Sequence, residues 1–273
     1  MKKILVEKIN SLPPLPNSII ELENFRKLEN YDVDKLLTII NKDPLMVTTI
    51  LRVANSSMFG FRSEIDTLSR AINLLGINFT ISIAIGSSIQ STIDSNLLAY
   101  ATTNDDFIFA SSLATNIINT WISSVDFDLK NELLLPAFLQ QIGKYVISDA
   151  IQESKLTEEF LQRLNECDNP SIVEEEFTGF TCSKITANIF KNWSFSHKII
   201  FPIAFVDEID KCPESFKKHA QILEIVKILS DIRKPLDEKN IELAVTKASS
   251  YGFDIEHLLN SIDVIKEVIS QNS

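Results

Sequence analysis

Residues 39–89 carry apolar side chains at three- and four-residue intervals, punctuated by a single proline and three glycines, a pattern that demands helices packed on one another. Asp43-Pro44 is a helix start: an Asp at the cap accepts an orphan backbone N–H, and Pro at the first helical position lacks a donor that would go unpaired anyway. The spacing predicts a helix from there to about Ala54, with Leu45, Thr48, Thr49, Ile50 and Val53 on the face to be covered. Asn55-Ser56-Ser57 should end it, Asn being suited to a left-handed cap. A second helix is predicted through Ile65, Leu68, Ile72 and Leu75, stopped by Gly76, and a third from Ile77 to Ile89, apolar all round and so buried.

Composition extends this to the whole chain. With 6 glycines and 9 prolines in 273 residues, and 45% of the residues hydrophobic, long helices around a sizeable core are favoured over a turn-dense β architecture. The expected fold class is all-α. Further helices are predicted over residues 1–11, 16–28, 33–41, 105–123, 129–150, 156–167, 170–178, 183–192, 196–209, 214–232, 238–250 and 254–269. A polar turn at Glu29-Asn30-Tyr31-Asp32 separates two of them, and Pro136 is expected to kink or restart the helix that contains it. Leu12-Pro13-Pro14-Leu15-Pro16 must be extended, a rigid elbow. The polar stretch 93–106 is the expected hinge, dividing the chain into lobes 1–103 and 104–273. The C-terminal stripes, Ile222, Ile225, Val226 and Leu229 and then Leu258, Leu259, Ile262, Ile265 and Ile269, are too apolar for water and must cover the second lobe or a second copy of the chain.

Charge and motifs exclude several functions. A net charge of −11, with 26 basic residues scattered among 37 acidic ones, repels nucleic acid phosphates. Lys2 and Lys3 are not followed by the apolar core of a signal peptide, and the longest wholly apolar run, Ile199 to Val206, falls far short of the roughly 20 residues of a membrane span. A cytoplasmic location is expected. Cys167, Cys182 and Cys212 form no CxxC pair, so free thiols are expected. No GxGxxG, Walker-type or GxSxG motif is present, and no cofactor is implied. The acidic runs Glu174-Glu175-Glu176 and Asp207-Glu208-Asp210 read as solvent-facing. His197, His219 and His257, far apart in sequence, read as surface residues.

The proline elbow, the Asp43-Pro44-Leu45 start, the run Leu51-Arg52-Val53-Ala54-Asn55-Ser56 with Gly60, and Ala71-Ile72 with Leu74-Leu75-Gly76 together resemble the HDOD family, the HD-related output domain of bacterial signalling proteins, over about residues 12 to 210. The resemblance implies a two-lobe helical fold whose second lobe is similar to the core of HD-type metal phosphohydrolases. It also implies where metal ligands would stand. Those places hold Ser111, Gln140, Gln141, Cys182, Val206 and Asp207, of which two at most are good donors, whereas tight sites supply four or more. The expectation is a regulatory protein that is not an enzyme, binds no metal and acts on other signalling proteins. The alternative is a divergent metal-dependent phosphohydrolase or nucleotide-binding protein. Asn55 is either a cap bonded to the following loop or part of a recognition surface shared with Arg52 and Gly60; Arg52 is either a carboxylate's partner or a match to the helix dipole. Trp193, at a position where the family often has tryptophan, and Trp121 are expected in the core.

Overall fold

The computed structural model describes residues 1–28, 31–123 and 125–272, and among them there is no β-strand. Glu29 and Asn30, in the expected first turn, lie outside the described residues. The first half is built of α1 (Lys2–Ser11), α2 (Asn17–Arg26), α3 (Val33–Ile40), α4 (Pro44–Ala54), α5 (Leu68–Leu75) and α6 (Ile77–Ile93). The start of α4 is as its residues dictate: the Asp43 carboxylate accepts from Leu45 N at 3.0 Å and Met46 N at 3.4 Å, with Pro44 opening the helix. Thr67 caps α5 in the same way through Arg70 N. Gly76 (φ +86°) turns the chain between α5 and α6, a backbone conformation that costs glycine little.

The end of α4 corrects one expectation. Asn55 has φ −90° and is not left-handed. Its side-chain amide does the work instead, donating to Leu51 O at 2.9 Å and Ile65 O at 2.8 Å while Oδ1 accepts from Ile65 N at 2.7 Å. The amide thus satisfies backbone groups on both sides of the loop 55–65 and carries buried Ile65 into the core.

Helix α6 is the axle. Its uniform apolarity corresponds to burial on every side, with α2, α4, α5, α7 and α8 packed around it. A Cβ built on Gly86 would lie 2.1 Å from the Phe138 ring, so the glycine sets how closely α6 and α8 approach. The polar stretch after α6 is anchored. Ser95 Oγ donates to Tyr145 O at 3.2 Å, Ala99 N to Ser148 Oγ at 3.2 Å, and Ala99 and Tyr100 in the 3-10 turn Leu98–Tyr100 are fully buried.

The second half comprises α7 (Asn104–Trp121), α8 (Phe127–Leu139), α9 (Gly143–Glu153), α10 (Thr157–Glu166), α11 (Pro170–Thr178), α12 (Cys182–Asn192), α13 (His197–Ala204), a 3-10 turn (Ile209–Lys211), α14 (Glu214–Leu229), α15 (Glu238–Ser250) and α16 (Ile255–Asn272). The expected single helix over 129–150 is two. Pro136 sits inside α8 without ending it, and the break falls at Gln140-Gln141-Ile142. Gly143 explains the place: a Cβ there would meet Cys182 O at 2.7 Å and Thr186 N at 2.9 Å, so α9 can begin against the backbone of α12 only at a glycine.

The N-terminal segment binds the halves together. α1 lies on α9 and α12, held by Lys8 Nζ to Asp149 at 2.6 Å and Glu153 at 2.7 Å and by Asn192 Nδ2 donating to Ile9 O at 3.1 Å. The elbow is pinned by Trp193 Nε1 donating to Pro13 O at 3.0 Å, so Trp193 is half-exposed and not core, whereas Trp121 is buried. The stripes of α14 and α16 are covered within the chain at Ile222, Ile225, Val226, Leu229, Leu258, Ile262 and Ile265, all buried, whereas Ile269 is only partly covered and Leu259, expected in the stripe, faces outward on α16. One continuous apolar cluster runs from Leu5 to Ile265. No single helix among the described residues is long and apolar enough to cross a membrane.

Candidate functional site

The places where the resemblance implies metal ligands come from several elements of the second half: Ser111 on α7, Gln140 and Gln141 in the α8–α9 break, Cys182 at the start of α12, and Val206 and Asp207 just after α13. All are buried except Asp207, whose side chain is 18% exposed. Gln141 Nε2 donates to Ser230 O at 2.8 Å. Gln140 is fully buried, and neither its amide oxygen nor its nitrogen has a partner. The Thr186 hydroxyl stitches the break together, donating to Gln140 O at 3.1 Å and accepting from Gly143 N at 3.0 Å.

Beside this break stands a lysine that the sequence reading passed over. Lys144, on the first turn of α9, is fully buried with its Nζ 2.7 Å from Glu174 Oε1 and 4.6 Å from the centre of the Tyr100 ring. Glu174 also accepts from Tyr100 OH at 3.1 Å and, through Oε2, from Cys182 N at 2.8 Å at the N-terminus of α12. Glu174 is therefore at the centre of the site, correcting its reading as solvent-facing. Helix periodicity accounts for the difference: α11 turns Glu175 and Glu176 outward, where Glu176 pairs with Arg163, and Glu174 inward.

A second cation lies nearby. Lys227 of α14 donates to Asp207 Oδ1 at 2.9 Å and to the hydroxyls of Ser171 and Ser183, each at 3.0 Å; Ser171 Oγ donates to Asp207 Oδ1 at 2.9 Å. Asp207 too is inward and paired, and its Oδ2 is buried without a partner.

The electrostatics follow from these pairs. Burial alone would push the Lys144 and Lys227 ammonium groups down, but Glu174 and Asp207 respectively push them further up, so both stay protonated through the ordinary lysine range. Burial would raise the Asp207 carboxyl, and Lys227 outweighs it, holding the group well below the usual carboxylate range. Burial, then Glu174, pushes the Cys182 thiol up to about 12, which makes it a poor nucleophile and a poor metal ligand near neutrality. Burial and Glu174 likewise hold the Tyr100 phenol well above its usual value.

These residues do not fit a divalent ion. Two neutral glutamines, a serine, a valine and a protonated thiol occupy the positions, and the carboxylates at hand are already neutralised by ammonium groups. Among the described residues no cluster of three or more His, Cys, Asp or Glu is placed to hold a metal. The histidines lie elsewhere. His197 and His257 are exposed, His197 stacking on Phe201, while His219 is half-buried with Nε2 2.9 Å from Glu132, which corrects its reading as a surface residue.

The motif residues of the first half are placed apart from this centre. Arg52, in the last turn of α4, pairs with Asp105 at the start of α7. Gly60 (φ +56°) lies under the end of α16, where an added Cβ would meet Asn272 Nδ2 at 2.6 Å and Val268 Cγ1 at 2.9 Å. Lys144 and Lys227 were missed because each is a single charged residue in an unremarkable context, and Glu174 was read with the acidic run that contains it. The available signals were a Lys one turn after the glutamine pair and a lone Lys within the otherwise apolar Ile225–Leu229.

The chain is 25% identical over 221 residues to an uncharacterized protein of Treponema pallidum (strain Nichols), a match covering 78% of this chain and 41% of that protein; the chain thus spans about two fifths of the length of the curated relative it matches. Among solved structures, a virulence factor from Campylobacter jejuni subsp. jejuni is 27% identical, with 98% of this chain and 100% of that one covered and a TM-score of 0.57. A candidate phosphohydrolase from Shewanella amazonensis SB2B is 19% identical, with 99% and 98% covered and a TM-score of 0.67, a likeness that bears on the fold alone. The HDOD domain profile matches residues 12–209, from the proline elbow to just beyond Asp207, so it takes in the 39–89 helices and Lys144, Glu174 and Asp207 of the centre, while Lys227 lies beyond it: the chain belongs to the HDOD domain family.

Proposed function

We propose that this protein is a non-catalytic regulator of bacterial signal transduction that acts by binding other signalling proteins. The observation that carries the reading is the pair of ammonium groups, Lys144 on Glu174 and Lys227 on Asp207, which neutralise the buried carboxylates of the HD-like centre. A metal hydrolase needs an ion held tightly, with an open position for water and room for a phosphate ester. Here the compensating charge is covalently part of the chain and cannot activate water as a metal does. The motif face around Arg52, Asn55 and Gly60 is the proposed partner surface, and a lobe boundary near residue 103 remains part of the proposal. A homodimer and a cytoplasmic location are also proposals, to be read from sedimentation and fractionation.

Titration calorimetry with manganese, ferrous iron and magnesium, and assay on generic phosphodiesters and nucleotides, tests the reading. Neither metal uptake nor hydrolysis is expected from the parent protein. Reinstating the name-giving pair, Gln140→His with Gln141→Asp, is expected to leave both absent. It also removes the donor to Ser230 O and introduces a buried acid, at a cost of about 3 kcal/mol. Micromolar metal binding with hydrolysis in either protein would instead establish the divergent phosphohydrolase.

A further inference from the structure

A pocket of about 170 Å³ opens between α11, α14 and α15, with Lys144 and Gln141 at its floor. Eleven of its twenty lining residues follow residue 209, where the family match ends, so the C-terminal helices make a site that the family motif does not account for. The hydrogen bonds of its charged groups say what it can hold. Every carboxylate in the wall has an internal partner. Asp207 is bonded to Lys227, and Glu224 to Lys247 at 2.7 Å and to Tyr251. Asp231 accepts from the backbone of Arg233 at 2.9 Å and Lys234 at 3.1 Å, Asp237 caps α15, and Asp168 pairs with Lys239 at 3.5 Å.

The spare donors belong to cations. The Lys234 ammonium has no partner among the described residues, and Lys144 Nζ bonds one oxygen although it carries three N–H groups. Asn240, Asn169 and Gln141 each commit one amide atom to the backbone and present the other, which suits hydroxyl groups. At about 30 Å³ per water, the space holds roughly six water molecules, the scale of a small polar metabolite.

We propose that this pocket binds a small sugar phosphate, its phosphate on Lys234 and Lys144 and its hydroxyls on the Asn and Gln amides. Such a ligand would bridge α11 to the α14–α15 pair and so give the protein a chemical input. No metal or hydrolysis is involved, so failure of this assignment leaves the non-catalytic reading intact.

Calorimetric titration of the full chain with glycerol 3-phosphate, ribose 5-phosphate and inorganic phosphate tests it. At least one ester is expected to bind at one site per chain with a dissociation constant below about 1 mM. Lys234→Glu, at an exposed side chain whose replacement leaves the fold intact, should weaken that ester at least about tenfold. Lys3→Glu, the same charge change on an exposed part of α1, should leave binding unchanged. The assignment is overturned if neither ester saturates, if Lys3→Glu weakens binding as much as Lys234→Glu, or if inorganic phosphate binds as tightly as the esters.

Discussion

Asp207 and Gly143 show how much single positions decide here. The Asp207 carboxyl is held below its usual range in the folded protein, so its contribution is complete above the unfolded value near pH 4 and is lost as pH falls through the folded one. Lys144 and Lys227 have raised folded values, so theirs is complete below the ordinary lysine value near pH 10.4 and is lost only above it. Urea midpoints should therefore vary little between neutrality and pH 9 and fall below about pH 4, and Asp207→Asn should flatten the acid limb. An unchanged acid limb in that variant would remove Asp207 from the account. Gly143→Ala puts a methyl against backbone atoms of Cys182 and Thr186 that cannot swing aside, and should cost about 3 kcal/mol by denaturant titration. A loss under about 0.5 kcal/mol, the scatter of surface substitutions, would mean that α9 can shift away from α12.

At the scale of elements, α14 is both wall and ligand. It supplies fully buried Ile222, Ile225, Val226 and Leu229 to the core and Lys227 to the centre. Truncation after Cys212 should give insoluble protein, because it uncovers the apolar faces of α7, α8 and α13 and leaves Asp207 half-buried with no cation beside it. A soluble, monomeric, helical truncation would show that the C-terminal helices are dispensable. The helix starts at Pro44 and Glu238 were legible because capping chemistry is local, Asp43 and Asp237 each marking the residue after which a helix begins, whereas the helix expected through Ile65 starts only at Leu68, after the Thr67 cap. The break at Gln140–Ile142 was not, since Pro136 looked the stronger interruption and Gly143 owes its importance to α12, remote in sequence.

At the scale of the whole molecule, the apolar cluster continuous from Leu5 to Ile265 and the anchoring of α1 on α9 and α12 tie the two halves into one packing unit. Unfolding followed by helical circular dichroism and by the fluorescence of Trp121 and Trp193 should therefore give coincident transitions, although the two tryptophans sit in different surroundings. Two separated transitions would mean that the lobes unfold independently.

The sequence by itself determined the class of the fold, the boundaries of most helices and the family. Apolar spacing, caps and proline act over a few residues, and the HDOD motifs retain their order along the chain. It also exposed what the HD-like positions lack, because Ser111, Gln140, Gln141 and Val206 can be read one at a time. Only the tertiary structure decided what stands beside them. Lys144 meets Glu174 across 30 residues and Lys227 meets Asp207 across 20, and a charge's partner in three dimensions has no period or spacing in the chain. The same holds for Asn55, whose bonds to Leu51 and Ile65 depend on how the loop closes, and for Gly60, whose neighbour is the last turn of α16.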